Sequence, residues 1–208
     1  MKKKSAPLFP IVLRLQAKRC VVVGAGKIAA AKVAGLLRSR ARLVVIAPHA
    51  TPGIQRHARA KKLKWLRREF RARDVAGAFL VIAATDCSVT NEAVFRACTA
   101  QGVLCNVVDD PEHCDFFYPA VVRRGPLQIA ISTEGRSPAL AHRLRIELER
   151  QFGPEYGAWI EHVGKMRKKI LTDKQSAAKR RQLLEEIASY ESYEQFLRRR
   201  RSPRTPNT

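Results

Sequence analysis

The 208-residue sequence predicts an α/β fold built on a doubly wound parallel sheet, and three observations carry that reading. Apolar runs rich in β-branched residues alternate with helix-compatible segments through the first half of the chain. One such run, Arg19-Cys20-Val21-Val22-Val23, passes directly into Gly24-Ala25-Gly26 and then into Lys27-Ile28-Ala29-Ala30-Ala31. Another, over 41–47, closes a β-α-β unit within about 30 residues, which is the context a glycine turn needs to carry meaning. Strand, tight turn and helix in this order make a Rossmann-like unit whose first helical amides face an anion. Gly24 allows the turn, Gly26 lets backbone approach a pyrophosphate, and Ala29 takes the small position where helix packs on strand.

The remaining elements follow in order. Residues 8–15 read as a short lead-in strand. The helix after the glycine turn runs to about residue 38, with Ile28, Ala31, Leu36 and Leu37 on its buried face. Residues 54–61 read as helix, 63–66 as a short strand, and 79–84 as a buried strand ending at Thr85-Asp86. A helix over 89–100 is stopped by Gly102, and 103–108 returns as strand. Beyond Asp115 the pattern changes: 116–122 and 127–132 are strand-like, separated by a turn at Arg123-Arg124-Gly125-Pro126. Ser137 as N-cap and Pro138 at the first position open a helix that Gly153-Pro154 ends. Two strands and one helix are too small to stand alone, so this segment is expected to pack on a second copy of the chain. Helices over 159–171, 174–189 and 190–200 complete the chain. The expected organisation is a dinucleotide-binding domain (1–115), a dimerisation and active-site segment (116–152), a helical domain (153–200) and a disordered basic tail (201–208).

Composition narrows the class. No apolar run approaches the roughly 20 residues that span a bilayer. The basic N-terminus is followed by a short apolar stretch broken by Pro10 and Arg14, which does not read as a secretory signal. Five cysteines form an odd number with no C-x-x-C pair, an argument for reduced thiols in the cytoplasm and against a disulfide framework or a metal site. His113-Cys114-Asp115 has adjacent donors without ligand spacing and reads as a loop. The net charge is +22, and eighteen Lys and Arg precede Glu69, the first acidic residue. Such a field keeps a protein soluble and draws small polyanions; without interleaved aromatic residues the nucleic-acid reading is the weaker one.

Chemistry concentrates at strand ends. An acidic residue about 20 positions after the glycine turn normally holds the ribose of NAD. Here that place reads Ala47-Pro48-His49. Either His49 and neighbouring arginines accept a 2′-phosphate, or backbone groups and His49 hold the ribose. Ala83-Ala84-Thr85-Asp86 and Asn106-Val107-Val108-Asp109-Asp110-Pro111 stand where a doubly wound sheet places ligands. A carboxylate there can act as general acid or base, and the same aspartates also fit an Asp-Pro turn.

These stretches, with Phe9-Pro10, Phe117-Tyr118-Pro119-Ala120, the run Arg124–Thr133 and Gly135-Arg136-Ser137-Pro138-Ala139-Leu140-Ala141, occur in the order of a known family's pattern. Over residues 8–148 the chain resembles the precorrin-2 dehydrogenase / sirohydrochlorin ferrochelatase family, the N-terminal module of siroheme synthase. The resemblance implies NAD-dependent oxidation of precorrin-2 to sirohydrochlorin, with Fe²⁺ insertion into sirohydrochlorin in some members. It puts the catalytic aspartate on Asp109 and NAD contacts on Lys27, Ile28, Pro48 and His49, beside Gly24, Gly26, Thr85 and Asp86. Asn106, Ser132, Thr133, Arg136 and Ser137 fall on the substrate side, with no resident metal. The family, too, lacks a strictly acidic ribose ligand. Where some relatives have Gly-Gly, this chain has Glu134-Gly135, which puts the loop conformation there in question. Precorrin-2 carries eight carboxylates, which suits Arg123, Arg124, Arg136, His142 and Arg143. The family's subunits pair through the middle segment, so a homodimer with a tetrapyrrole substrate and no membrane partner is expected. The alternative is a regulator that senses NAD without turnover.

Overall fold

A computed structural model describes residues 7–201. The chain forms two compact units that meet in sequence between Tyr118 and Pro119. The first holds β1 (Arg19–Val23), α1 (Lys27–Arg38), β2 (Arg42–Ile46), α2 (Pro52–Arg59), β3 (Lys64–Leu66), β4 (Leu80–Ala83), α3 (Ser88–Gln101) and β5 (Leu104–Val107). All five strands are parallel, in the order β3-β2-β1-β4-β5.

Successive strand residues point to opposite faces, and both faces are covered. Cys20, Val22, Leu43, Val45, Leu80 and Ile82 pack with Ala29, Val33 and Leu36 of α1 and Ile54 of α2. Val21, Val23, Val44, Ile46, Val81 and Ala83 pack with Val94, Ala97 and Cys98 of α3. This two-sided burial is why the strands read as unbroken apolar runs. Gly102 ends α3 in the left-handed region at φ 62°, donating its N–H to Cys98 and Thr99 carbonyls.

The second unit holds the antiparallel hairpin β6 (Ala120–Arg124) and β7 (Leu127–Ile131), then α4 (Pro138–Gln151), α5 (Glu155–Thr172), α6 (Ala177–Glu186) and α7 (Tyr190–Arg201). Arg124 ties hairpin to helices, donating from Nε to Phe152 O at 2.7 Å and from Nη2 to Glu149 O at 2.8 Å. Trp159 of α5 packs on Tyr193 and Phe196 of α7 at centroid distances of 5.7 and 5.5 Å. The middle segment and the helices therefore belong to one unit.

Two local expectations are corrected. Residues 8–15 form no strand: Phe9 and Val12 are 86% and 87% exposed, and Pro7 and Pro10 lack the N–H donors a ladder needs. Arg123 and Arg124 lie within β6, and the turn is Gly125-Pro126 alone, with Gly125 at φ 57°. The tail beyond Arg201 lies outside the described residues. Among the described residues no helix is long and apolar enough to cross a membrane.

Candidate functional site

From β1 the chain winds through α1 to β2 on one side, and from β4 through α3 to β5 on the other. The reversal point lies between β1 and β4, and an open α/β sheet binds ligands beyond the carboxyl ends of its strands there. A cleft of about 910 Å³ occupies that place. Gly24, Gly26, Lys27, Ile28, Pro48, His49, Thr85, Asp86 and Asp109 all line it. Eight residues expected to contact cofactor and the expected catalytic aspartate are thus brought to one cavity.

The glycine turn shows why each residue type stands where it does. Gly24 has φ 103°, and a Cβ there would lie 2.1 Å from Ala84 O, so the loops after β1 and β4 meet only because position 24 lacks a side chain. At Gly26 a Cβ would meet nothing within 4 Å. Gly26 is also the N-cap of α1, without a side-chain cap bond and with no acidic residue in the first turn. The first amides of α1 are left for an anion. Ile28 and Val89 line the same cleft while 51% and 77% exposed, offering apolar surface to a planar ring. The glycine cradle, free helix amides and exposed apolar walls fit a dinucleotide.

Thr85 is fixed by Asn91, whose Oδ1 accepts from Thr85 Oγ1 at 2.8 Å and whose Nδ2 donates to Thr85 O at 3.0 Å. Its Oγ1 also accepts from Cys87 N at 3.2 Å, so the hydroxyl shapes the loop before α3. Asp109 is exposed at φ 61°, in the left-handed region, just after β5. Such a backbone outlier persists only where neighbours hold it. Asp110 N donates to Val107 O at 3.3 Å, and Asp110 Oδ2 lies 2.6 Å from His113 Nδ1. That contact raises the His113 pKa above its ordinary value. Half-buried Lys32 faces the same loop: burial lowers its pKa, while the Asp109 carboxylate and Cys114 oppose that shift. Its ammonium sits 3.7 Å over the Tyr118 ring.

Several residues here were not singled out from sequence. Arg68, lining the cleft, grips the buried Asp74 carboxylate in a two-bond fork at 2.7 and 2.8 Å. That grip, with a bond from Arg71 N, holds Asp74 below the usual carboxylate range. Lys32 and Asn91 likewise acquire their places only through the fold.

Asn106 differs from expectation. It is 6% exposed, and its amide donates to Cys114 Sγ at 3.2 Å and to Phe116 O at 2.8 Å, fixing the segment after β5. Asp115 Oδ2 accepts from Cys105 N at 2.8 Å, so His113-Cys114-Asp115 is a loop lock. Among the described residues no group of three His, Cys, Asp or Glu could hold a metal ion. All five cysteines are free thiols, and burial pushes Cys20 up to about 11.

In the second unit, Ser132 Oγ accepts from Glu134 N, Thr133 Oγ1 from Ser137 N, and Ser137 Oγ from Leu140 N, each at 3.2 Å. Each hydroxyl uses a lone pair on the backbone and keeps its proton to donate. Glu134 and Gly135 both adopt the left-handed region, at φ 52° and 75°. The loop thus keeps a glycine-like path at Glu134, and Arg136 pairs with Glu134 at 3.5 Å. Arg124 is committed to backbone carbonyls, so its guanidinium is structural.

Comparison with known proteins agrees with this arrangement. The family model described as "Putative NAD(P)-binding" matches residues 11–120, just over half of the chain, and that described as "Sirohaem biosynthesis protein central" matches residues 124–151. A siroheme synthase of Photorhabdus laumondii is 37% identical over 178 residues, covering 86% of this chain and 38% of its own. One from Nitrosococcus oceani is 40% identical over 162 residues, covering 78% of this chain and 35% of its own. The chain therefore spans under two fifths of the length of these relatives. A solved structure, "SirC, precorrin-2 dehydrogenase", superposes with a TM-score of 0.77 at 25% identity, over 92% of this chain and 98% of its own.

Proposed function

Because the chain belongs to the family of the siroheme-synthase N-terminal module, we propose that it oxidises precorrin-2 to sirohydrochlorin with a nicotinamide dinucleotide. The observation that carries the reading is the convergence of the glycine turn, the end of β2 and Asp109 on one cleft at the reversal point of the sheet. The bound nicotinamide supplies a hydride acceptor. Asp109 takes the proton that leaves the macrocycle, so that precorrin-2 and NAD⁺ become sirohydrochlorin, NADH and a proton. Lys32 faces this loop, where the Asp109 carboxylate opposes the burial that lowers the lysine's pKa. Gly26 and the first amides of α1 take the pyrophosphate, and Ile28 and Val89 exclude water from the ring.

The hydroxyls of Ser132, Thr133 and Ser137, with Arg136, are donors suited to a substrate bearing eight carboxylates. Asn106 acts by holding the chain after β5. The protein works as a cytoplasmic homodimer through the middle segment, and sedimentation of the full chain as a monomer would remove that part of the proposal. Fe²⁺ insertion would use Asp109 as base for the pyrrole protons; it requires faster metallation of sirohydrochlorin than the spontaneous rate.

The test is incubation of purified protein with precorrin-2 and NAD⁺, expected to give sirohydrochlorin and NADH one for one. A protein that binds the dinucleotide yet leaves precorrin-2 unchanged would instead be a nucleotide sensor.

A further inference from the structure

We propose that His113 is a positioning residue for Asp109: its imidazolium, held between the carboxylates of Asp110 and Glu92, clamps the turn after β5 onto α3 and so fixes the backbone that presents Asp109 to the cleft. The proposal rests on the role given to Asp109 above and adds how that carboxylate is kept in place.

Asp109 stands exposed in the left-handed region at φ 61°, so the residues on either side must hold it. Before it, Val108 N donates to Ala83 O at 2.9 Å and ties the turn to the end of β4. After it, Asp110 N donates to Val107 O at 3.3 Å, and Asp110 O accepts from His113 N and Cys114 Sγ, both at 3.2 Å. These bonds close the turn on itself. The Asp110 side chain then carries it outward: Oδ2 lies 2.6 Å from His113 Nδ1, and His113 Nε2 lies 3.6 Å from Glu92 Oε2 on α3. Phe95, also on α3, packs on the imidazole at a centroid distance of 4.3 Å. Glu92 is steadied in turn by Arg96, whose Nε donates to Oε1 at 2.7 Å. Glu92 and Asp110 line a cavity of about 690 Å³ that shares Val89, Ala93 and Val108 with the dinucleotide cleft, so the clamp stands one wall away from the cofactor.

This geometry suits a cation. An imidazolium donates from both nitrogens, whereas a neutral ring donates from one and turns a lone pair toward the other carboxylate. The charged groups around the ring are Asp110 and Glu112 on its own turn and Glu92 on α3, with Arg96 engaged by Glu92. Carboxylates on both sides favour the charged ring and raise its pKa above the ordinary 6.5, with the Asp110 contact the largest cause. The sign follows: the clamp is fully closed below 6.5 and weakens as pH rises through the higher folded value. The His113 side chain is 32% exposed, so its proton exchanges with solvent.

The test is the pH profile of kcat for precorrin-2 oxidation by the full chain at saturating NAD⁺, set beside the NMR titration of the His113 ring. In the wild type kcat should fall about tenfold on an alkaline limb whose midpoint matches the His113 pKa read by NMR. In His113→Gln, which cannot carry the charge, kcat at about pH 6 should be about tenfold lower and that limb absent, with KM and NAD⁺ affinity within about twofold of wild type. His113→Lys keeps a cation between the two carboxylates, so it should recover most of the rate and show no limb below about pH 9. A Gln variant with the wild-type rate and limb overturns the clamp and leaves the proposed function in place. So does a loss that Lys does not recover and that weakens NAD⁺ binding alike, since that marks a purely structural role. A wild-type chain that binds NAD⁺ but turns over no precorrin-2 at any pH overturns both.

Discussion

In the first unit Cys20, Val21, Val22, Val45, Val81 and Ile82 are wholly shielded from solvent, whereas in the hairpin of the second unit only Val122 is. On β7, Leu127, Ile129 and Ile131 are half-buried while Gln128 and Ala130 stand exposed. The first unit closes its core within itself, with helices on both faces of a five-stranded sheet. The second has a two-stranded sheet, too small for independent stability, and relies on helices for partial cover. A self-contained unit presents its ligand site by its own topology. A partly covered one is suited to pairing with a second copy, which is the basis of the homodimer proposal.

The largest expected effect is at Gly24. Gly24→Ala forces a Cβ into Ala84 O at a backbone angle that disfavours it, and should cost about 4 kcal/mol in urea unfolding. Gly125→Ala in the second unit meets Gly157 Cα at 3.2 Å, a milder contact, and should cost about 1–2 kcal/mol. Equal costs would break the contrast between the units.

Asp74→Asn comes next, because it removes the negative charge and turns one of the two oxygens that accept from Arg68 and Arg71 N into a donor facing them, at about 2–3 kcal/mol near neutral pH. The sign of its pH dependence follows from the lowered carboxyl pKa. Its contribution is present above the unfolded value of 3.8 and is lost as pH falls through the lower folded value. Urea midpoints measured against pH should therefore fall in acid for the wild type and flatten there for the variant.

The smallest effect belongs to the second unit. Glu134→Gly relieves a left-handed non-glycine residue and gives up only an exposed pairing with Arg136, so it should raise the unfolding free energy in urea by about 0.5–1 kcal/mol.

What sequence made legible divides along the same line. The runs over 41–47 and 79–84 declared themselves because strands buried on both faces leave no alternation to misread. The glycine turn and Asp109 were legible because a strand end fixes where its next residues go. Lys32 was not, since one lysine among eighteen basic residues gains its meaning only when the fold brings α1 near the loop that carries Asp109. Arg68 was hidden for the same reason: its partner Asp74 sits on a short 3₁₀ turn that only the fold brings near. Asn106 shared a motif with Asp109 but is buried within β5, where its amide is spent on Cys114 and Phe116.

The central claim, that the cleft's chemistry runs through Asp109, is tested most directly by Asp109→Asn, assayed for sirohydrochlorin formation and for dinucleotide affinity in the same preparation. The account predicts unchanged affinity with turnover reduced about 10²–10⁴-fold, the range for losing a positioned general base. Turnover within a few-fold of wild type would contradict it.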